Sequence, residues 1–192
     1  MKNFKLRTLI FLALCCDFGL FAKKIISPLA NVITDALHIP GGIGTSFSLM
    51  FLVVAAVLVP RFGCGTIMAT VQSALALSFG MVGSMGALAP IGYILPGITI
   101  DLVLFLTERL SISNTDRMLL TNMCAAVCAS LTANMIVFHL HGAVLLLYVC
   151  VAATSGAICG VLGSHLSQRL MPVIGTKLKQ ENCKILEVSH EK

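Results

Sequence analysis

The chain alternates long apolar stretches with short polar breaks. Residues 62–100 contain no Asp, Glu, Lys or Arg, and neither do residues 118–164. Each run is too long for one membrane helix of about 20 residues and has the length of two helices joined by a turn. Pro90, with several glycines before it, breaks the first run, and Gly142 breaks the second. The two runs therefore predict four membrane helices.

Two further apolar runs bring the predicted number of helices to six. Helices are expected because a spanning segment must satisfy its backbone hydrogen bonds within lipid. We therefore predict an all-α membrane protein, a compact six-transmembrane-helix bundle that forms one domain over residues 1–192. The composition, 57% hydrophobic and 11% charged with a mean hydropathy of +0.97, agrees with this class. The predicted spans are residues 6–22, 41–60, 64–80, 91–107, 118–138 and 142–164, followed by a polar tail from about residue 175.

The basic residues predict the orientation of the bundle. With a cytoplasmic N-terminus, all of the 13 Lys and Arg residues except Lys23 and Lys24 fall on the cytoplasmic side. Such a bias is typical of membrane proteins, so we predict that both termini are cytoplasmic. A secretory signal peptide is the alternative for the first span, but Asp17 and the two lysines stand where a small-residue cleavage site is expected. We assign the net charge of +5 to this topology and expect a lipid bilayer, and no nucleic acid, as partner.

The external segment 23–47 has the pattern of an amphipathic helix followed by a flexible stretch. Apolar residues recur at helical spacing, with Asp35 and His38 on another face. Gly42 and Gly44 follow close behind. The pattern fits a lid hinged by these glycines, and it fits equally a helix resting on the lipid headgroups.

The fourth span carries polar and helix-breaking residues. Tyr93, Gly97 and Asp101 are spaced four residues apart, so that one helix face presents a ring, a gap and a carboxylate. A charged residue at the centre of a spanning helix costs about 2.5–3.5 kcal/mol, so it normally faces protein or water. Pro96 also indicates an interior position for this helix. Either the face lines a binding cavity, or Asp101 pairs with a residue such as Arg61 and holds helices together.

Other polar residues within the spans are candidates for the same cavity, although a hydrogen bond between helices is the default interpretation of each. His139 and His141 could chelate a metal ion with His38 or Asp35, but exposed turn histidines are the default interpretation, and we predict no metal and no cofactor. The eight cysteines form no CxxC pair and are interpreted as packing residues. The further candidate ligand-binding residues are Gln72, Asn134, His139 and Tyr148.

Several segments together resemble a known family. They are the inner turn "VPRFGCG", the outer turn "GMVGSMG" and the stretch "YILPGITIDLVLFL", within six short spans and with a long external segment before the second. Over roughly residues 5–170 the chain resembles the substrate-binding S component of energy-coupling factor (ECF) vitamin transporters, and most of all the branch for the hydroxymethylpyrimidine precursor of thiamine.

The resemblance implies a function and a set of partners. S components capture a vitamin or related nutrient from outside, beneath the loop between spans one and two, for ATP-driven uptake across a prokaryotic cell membrane. Their partners are a transmembrane coupling subunit and two cytoplasmic ATPases. The family's A-x-x-x-A coupling face has its nearest match at Ala13 and Asp17. Span three carries Ala69 and Gln72 where acidic residues are expected in that branch, so the resemblance does not imply the substrate.

Two other classes of protein remain open. A structural or assembly membrane protein would use faces of small residues to bind other helices. An intramembrane enzyme would use Asp101 and a histidine, but no second carboxylate lies nearby in sequence, and we predict that the protein is not an enzyme. The small-residue faces are Ala125, Ala129 and Ala133 in the fifth span and Gly156, Gly160 and Ser164 in the sixth.

Overall fold

The described part of the chain is entirely helical apart from its turns. A computed structural model describes residues 6–36, 43–59, 62–80, 86, 88–110, 112–136, 139 and 142–190, without the side chains of residues 6–9, 30–31, 33–36, 43 and 171–190. The predicted all-α architecture with six helices is confirmed for these residues. The helices are α1 (Leu6–Ala36), α2 (Ile43–Leu58), α3 (Cys64–Ser78), α4 (Ala89–Arg109), α5 (Asn114–Ile136) and α6 (Ala143–His190).

Two helices are much longer than the predicted spans. Helix α1 has 31 residues and continues through residues 23–36, with Pro28 inside it. Helix α6 has 48 residues and includes most of the predicted polar tail.

Glycines with positive φ lie beside the helix ends at Gly63, Gly80 and Gly142, where glycine adopts this conformation without steric cost. Turn glycines thus explain where these helices begin or end better than polarity does.

Helix α2 is the central element of the bundle. It packs against all five other described helices. Its sequence, "IGTSFSLMFLVVAAVL", is apolar on nearly every face, as expected for a helix surrounded by protein. Leu52, Val53 and Ala55 are completely or almost completely buried. The core of the bundle therefore lies around α2.

The outside of the bundle is strongly apolar. Three described helices or parts of helices, α4, α5 and Ala143–Leu170 of α6, are long and apolar enough to cross a membrane, and α2 and α3 contribute shorter apolar helices. Large side chains such as Phe18, Phe21, Leu146 and Ile158 are more than half exposed. Exposed apolar surface of this extent is costly in water and favourable in lipid. The chain is therefore a membrane protein.

Small residues bring α5 and α6 close together. A Cβ added at Gly160 would lie 2.7 Å from the Cα of Leu119, and one added at Gly156 would lie 2.9 Å from the Cα of Met123. Since packing drives helix association in lipid, such close approach stabilises the pair. The glycine face of the sixth span thus packs inside the bundle.

The helix directions give the bundle two distinct ends. Helices α1, α3 and α5 end where α2, α4 and α6 begin, because each of these pairs runs antiparallel. Late residues of one helix contact early residues of the other, as Ser27 does with Gly44, Asp101 with Gly65 and Gly160 with Leu119. We call this the outer end, following the predicted orientation, and we call the opposite end the inner end. Residues early in α2 and α4, and late in α1, α3 and α5, therefore share the outer half.

Candidate functional site

A cavity lies in the outer half of the bundle, among five helices. Its volume is about 30 Å³. Helix α2 contributes three lining residues, α4 contributes three, and α1, α3 and α5 contribute one each. We call this the outer cavity, and its lining residues are Lys23, Thr45, Ser48, Leu49, Gln72, Gly92, Tyr93, Pro96 and Ala129.

Lys23 and Tyr93 join α1 to α4 across the outer cavity. The Lys23 ammonium donates a hydrogen bond to the Tyr93 hydroxyl, with 3.1 Å between Nζ and the hydroxyl oxygen. The same nitrogen lies 4.7 Å from the centre of the Tyr93 ring, within the range of a cation–π interaction. The helical continuation of α1 beyond residue 22 is what places Lys23 here.

Gln72 and Ser48 form the polar base of the outer cavity. The Gln72 amide nitrogen donates to the Ser48 hydroxyl oxygen at 3.0 Å, and both residues are buried. Gly19 makes room for this pair, since a Cβ there would lie 3.1 Å from the Gln72 Nε2 atom. A buried hydrogen-bonded pair of this kind is well suited to hold a polar group of a ligand in one orientation.

Pro96 and Gly92 of α4 lie in the wall of the outer cavity. Proline has no N–H, so the carbonyl of Gly92, four residues earlier, lacks its usual helical donor. Pro96 within α4 thus belongs to the site, as expected for a helix that faces the interior of the bundle.

Asp101 lies at the inner end and binds the beginning of α3. Its carboxylate accepts hydrogen bonds from the backbone N–H of Gly65 at 2.8 Å, from the N–H of Thr66 at 2.7 Å and from the Thr66 hydroxyl at 2.6 Å. Helix α3 begins after Gly63, which offers no side chain to cap it. Asp101 therefore supplies the acceptor that an N-cap residue usually provides, and its charge opposes the positive end of the helix dipole.

Two glycines allow α4 to approach α3 closely enough for this contact. A Cβ at Gly65 would lie 3.0 Å from the backbone oxygen of Gly97, and one at Gly97 would overlap the side chain of Ala69. The space left by the missing side chain of Gly97, beside Pro96, is thus filled by α3. It does not open into the outer cavity.

A second cavity of about 60 Å³ lies at the inner end. Asp101, Glu108 and Arg117 line it together with apolar residues. Arg117 donates to the backbone oxygen of Leu104 at 3.2 Å. This inner cavity is larger than the outer one, but the Asp101 carboxylate in it is already hydrogen-bonded to α3. It also lies at the end of the bundle opposite to the one expected for nutrient capture.

The structure brings together only part of the predicted ligand-binding set. Tyr93 and Gln72 line the outer cavity, whereas Asp101 does not. Asn134 donates to the backbone oxygen and the hydroxyl of Ser130, one turn earlier on α5. Tyr148 is partly buried on α6, and His139 is an exposed turn residue with φ of 48°. Asn134, Tyr148 and His139 are not among the residues that line the outer cavity.

Most of the predicted lid lies outside the residues that the structure describes. His38 and Gly42 are not described, and of Asp35 only the helical backbone is. Gly44 lies in the first turn of α2 and is buried, and a Cβ there would overlap the hydroxyl of Ser27 on α1. At this position the two helices are in close contact.

The predicted coupling residues lie on α1. Ala13 is exposed and Asp17 is partly exposed. Exposed large apolar residues extend along the same helix: Ile10, Leu14, Phe18, Phe21 and Ile25. Within the described ranges, no group of three or more His, Cys, Asp and Glu side chains could hold a metal ion.

Three polar residues of the outer cavity, Lys23, Thr45 and Ser48, are not among the predicted ligand contacts. The charge pattern places Lys23 only on the external surface, and Thr45 and Ser48 fall within a predicted apolar span. A signal for Ser48 was present in the sequence, because it lies three residues after Thr45 and two after Ser46 in an otherwise apolar run. Lys23 had no such signal, since its position depends on α1 remaining helical past the end of the apolar run.

The fold is that of an S component of an ECF transporter. A solved structure described as "Crystal structure of an S-component of ECF transporter" matches with a TM-score of 0.70, covering 96% of this chain and 98% of that chain at 18% sequence identity. No family model matches the sequence, and no curated protein matches it either. At this identity the likeness establishes the fold over nearly the whole chain.

Proposed function

We propose that this protein is the substrate-binding membrane subunit of an ECF-type ABC importer, which captures a vitamin or related small organic nutrient from outside the cell. The observation that carries the proposal is the outer cavity, a partly polar site among five helices on a fold shared with an S component. Binding sites between helices of a bundle typically combine apolar walls with a few convergent polar groups.

The outer cavity must enlarge to accept such a nutrient. Pockets for small organic ligands are typically about 300–1,000 Å³, and the outer cavity of about 30 Å³ has room for only a water molecule or two. The Lys23–Tyr93 contact joins the two helices across this space. We propose that ligand entry separates these two side chains and that the outer part of α1, residues 27–36, moves away from α2 to admit the ligand.

The partners in this proposal are a transmembrane coupling subunit and two cytoplasmic ATPases. The apolar face of α1 that includes Ala13 and Asp17 is the proposed contact with the coupling subunit. The thiamine-precursor branch is not part of the proposal, because α3 carries Ala69 and Gln72 where that branch would place acidic residues.

The second candidate function is a structural or assembly role. The tight packing of Gly156 and Gly160 against α5 speaks against it, because this small-residue face is already occupied within the bundle. An enzyme built on Asp101 is also disfavoured, since both carboxylate oxygens accept hydrogen bonds from α3.

Mass spectrometry of small molecules released from the denatured protein tests the proposal. The full chain would be purified in mild detergent from cells grown in rich medium. We expect one small organic molecule at near-stoichiometric amount, together with ATPase subunits in gently solubilised membranes. Recovery of membrane proteins with no small molecule would favour the assembly role and contradict nutrient capture.

A further inference from the structure

Among the residues that the structure describes, the outer cavity is lined by one positive charge and by no negative charge. Lys23 is the charged residue of this described lining. Among the described residues, the ammonium contacts the Tyr93 hydroxyl and ring, and no carboxylate is paired with it. The eight acidic residues of the chain are Asp17, Asp35, Asp101, Glu108, Asp116, Glu181, Glu187 and Glu191.

The positions of these acids leave the outer cavity cationic. Helices α3 and α4 carry no acid before Asp101, and residues 118–164 carry none at all. On α1, Asp35 lies 12 residues beyond Lys23, or about 18 Å along the helix. Asp17 lies six residues before Lys23, about 9 Å away along the helix and on a different face. A negative charge for Lys23 is therefore best supplied by a bound ligand.

The contact between Lys23 and Tyr93 places two hydrogen-bond donors next to each other. The ammonium has three N–H donors, of which one is directed at the Tyr93 oxygen. The Tyr93 hydroxyl accepts that bond, so its own hydrogen is available to donate. A ligand oxygen beside this pair could receive one bond from each group. A carboxylate is the acceptor that such a pair favours, because charge-assisted hydrogen bonds are roughly twice as strong as neutral ones.

We propose that the ligand of the outer cavity is a small organic monocarboxylate, whose carboxylate binds between the Lys23 ammonium and the Tyr93 hydroxyl. This inference rests on the proposed function of the site. One ammonium balances one negative charge, so a carboxylate suits the site better than a phosphate dianion. Leu49, Pro96 and Ala129 supply an apolar wall for the rest of the molecule.

The test compares acids with neutral analogues of the same shape. Purified full-length protein in detergent is titrated with nicotinate and nicotinamide, with biotin and biotinamide, and with pantothenate and panthenol, and its thermal stability is measured. The molecule recovered from the denatured protein is analysed for a carboxylate. We expect a carboxylate in the recovered molecule, and in any pair that binds we expect the acid to bind at least about 10-fold more tightly than its neutral partner.

Two lysine variants distinguish recognition of the ligand's carboxylate by Lys23 from a general effect of positive surface charge on binding. Lys23→Gln should remove the preference for the acid, whereas Lys24→Gln, an exposed neighbour on another face, should retain it. A recovered molecule without a carboxylate, a neutral analogue that binds as tightly as its acid, or an unchanged preference in Lys23→Gln would overturn the inference and leave nutrient capture standing. Absence of any recovered molecule and of any binding in the panel would overturn the proposed function itself.

Discussion

The ammonium of Lys23 lies 3.1 Å from the hydroxyl oxygen of Tyr93, although the two residues are 70 positions apart. This contact joins the outer half of α1 to the beginning of α4 and closes one side of the outer cavity. Since α1 continues from Lys23 toward the proposed lid residues, separation of Lys23 from Tyr93 can also move α1 at the entrance of the site. Recognition of the ligand and opening of the bundle would then depend on the same pair.

Removing the Tyr93 hydroxyl should weaken ligand binding. Tyr93→Phe keeps the ring but removes the partner of Lys23, and we expect an affinity about 10-fold lower for the molecule retained by the wild-type protein. Tyr93→Ala should also accelerate dissociation, because the ring contact is lost. Calorimetry and stopped-flow measurements give these two quantities. The only other tyrosine, Tyr148, provides the control, and Tyr148→Phe should bind normally; equal losses in both Phe variants would remove Tyr93 from the site.

Asp101→Asn should lower stability without changing ligand affinity. The amide keeps one acceptor oxygen but loses the charge that faces the start of α3, at an expected cost of about 1–3 kcal/mol. Thermal unfolding in detergent measures the loss. Glu108→Gln is the matched control, since Glu108 lines the same inner cavity but is exposed, and it should change stability by less than about 0.5 kcal/mol. A stable Asp101→Asn protein with weakened binding would assign Asp101 to the ligand.

The crossing of α3 and α4 should depend on the absence of a side chain at Gly97. Gly97→Ala introduces a Cβ that overlaps Ala69, and we expect a loss of about 1–3 kcal/mol from overpacking. Ala69→Gly should recover part of that loss in the double variant, because it removes the atom that is overlapped. A double-mutant cycle on unfolding free energy measures this coupling. Additive effects of the two substitutions would contradict the close approach.

The contact between Gly44 and Ser27 offers a similar test at the outer end. Gly44→Ala places a Cβ against the Ser27 hydroxyl and should separate α1 from α2 at the proposed entrance. We expect faster ligand association than in the wild type if this contact keeps the entrance closed, with part of the effect reversed by Ser27→Ala. Association rates that are unchanged in Gly44→Ala, with normal folding, would show that the entrance lies elsewhere.

The orientation can be measured with single cysteines in a background without the native ones. His139→Cys places a thiol at the outer end, and Leu110→Cys places one at the inner end, where both native residues are exposed. An impermeant thiol reagent should label the first variant in intact cells and the second only after permeabilisation. The reverse pattern would place the outer cavity on the cytoplasmic side.

The number of helices could be predicted from the sequence because charge-free runs and turn glycines mark the spans directly. Gly63, Gly80 and Gly142 lie beside helix ends, as their conformational freedom predicts. The extent of α1 could not be predicted in this way. Its polar residues after position 22 suggest the end of a span, while the helix itself continues to Ala36.

The site was only partly predictable because hydropathy does not fix how each helix is rotated. Tyr93 and Asp101 share a spacing typical of one helix face, but eight residues separate them by about 12 Å of rise. Pro96 lies between them, where it can change the helix direction. At these different depths Tyr93 faces the outer cavity, whereas Asp101 faces the beginning of α3. Asn134 was a wrong guide to the outer cavity for a different reason. Its amide nitrogen donates to the backbone oxygen and hydroxyl of Ser130, on its own helix.

Ligand occupancy in two cavity-filling variants tests nutrient capture in the outer cavity most directly. Ala129→Leu narrows the outer cavity, and Ala56→Leu adds the same atoms to the inner cavity. The released small molecule is quantified by mass spectrometry per folded protein, after size-exclusion chromatography confirms a monodisperse fraction for each variant. We predict that the wild type and Ala56→Leu retain the molecule and that Ala129→Leu loses it. Full retention by Ala129→Leu together with loss from Ala56→Leu would contradict an outer binding site.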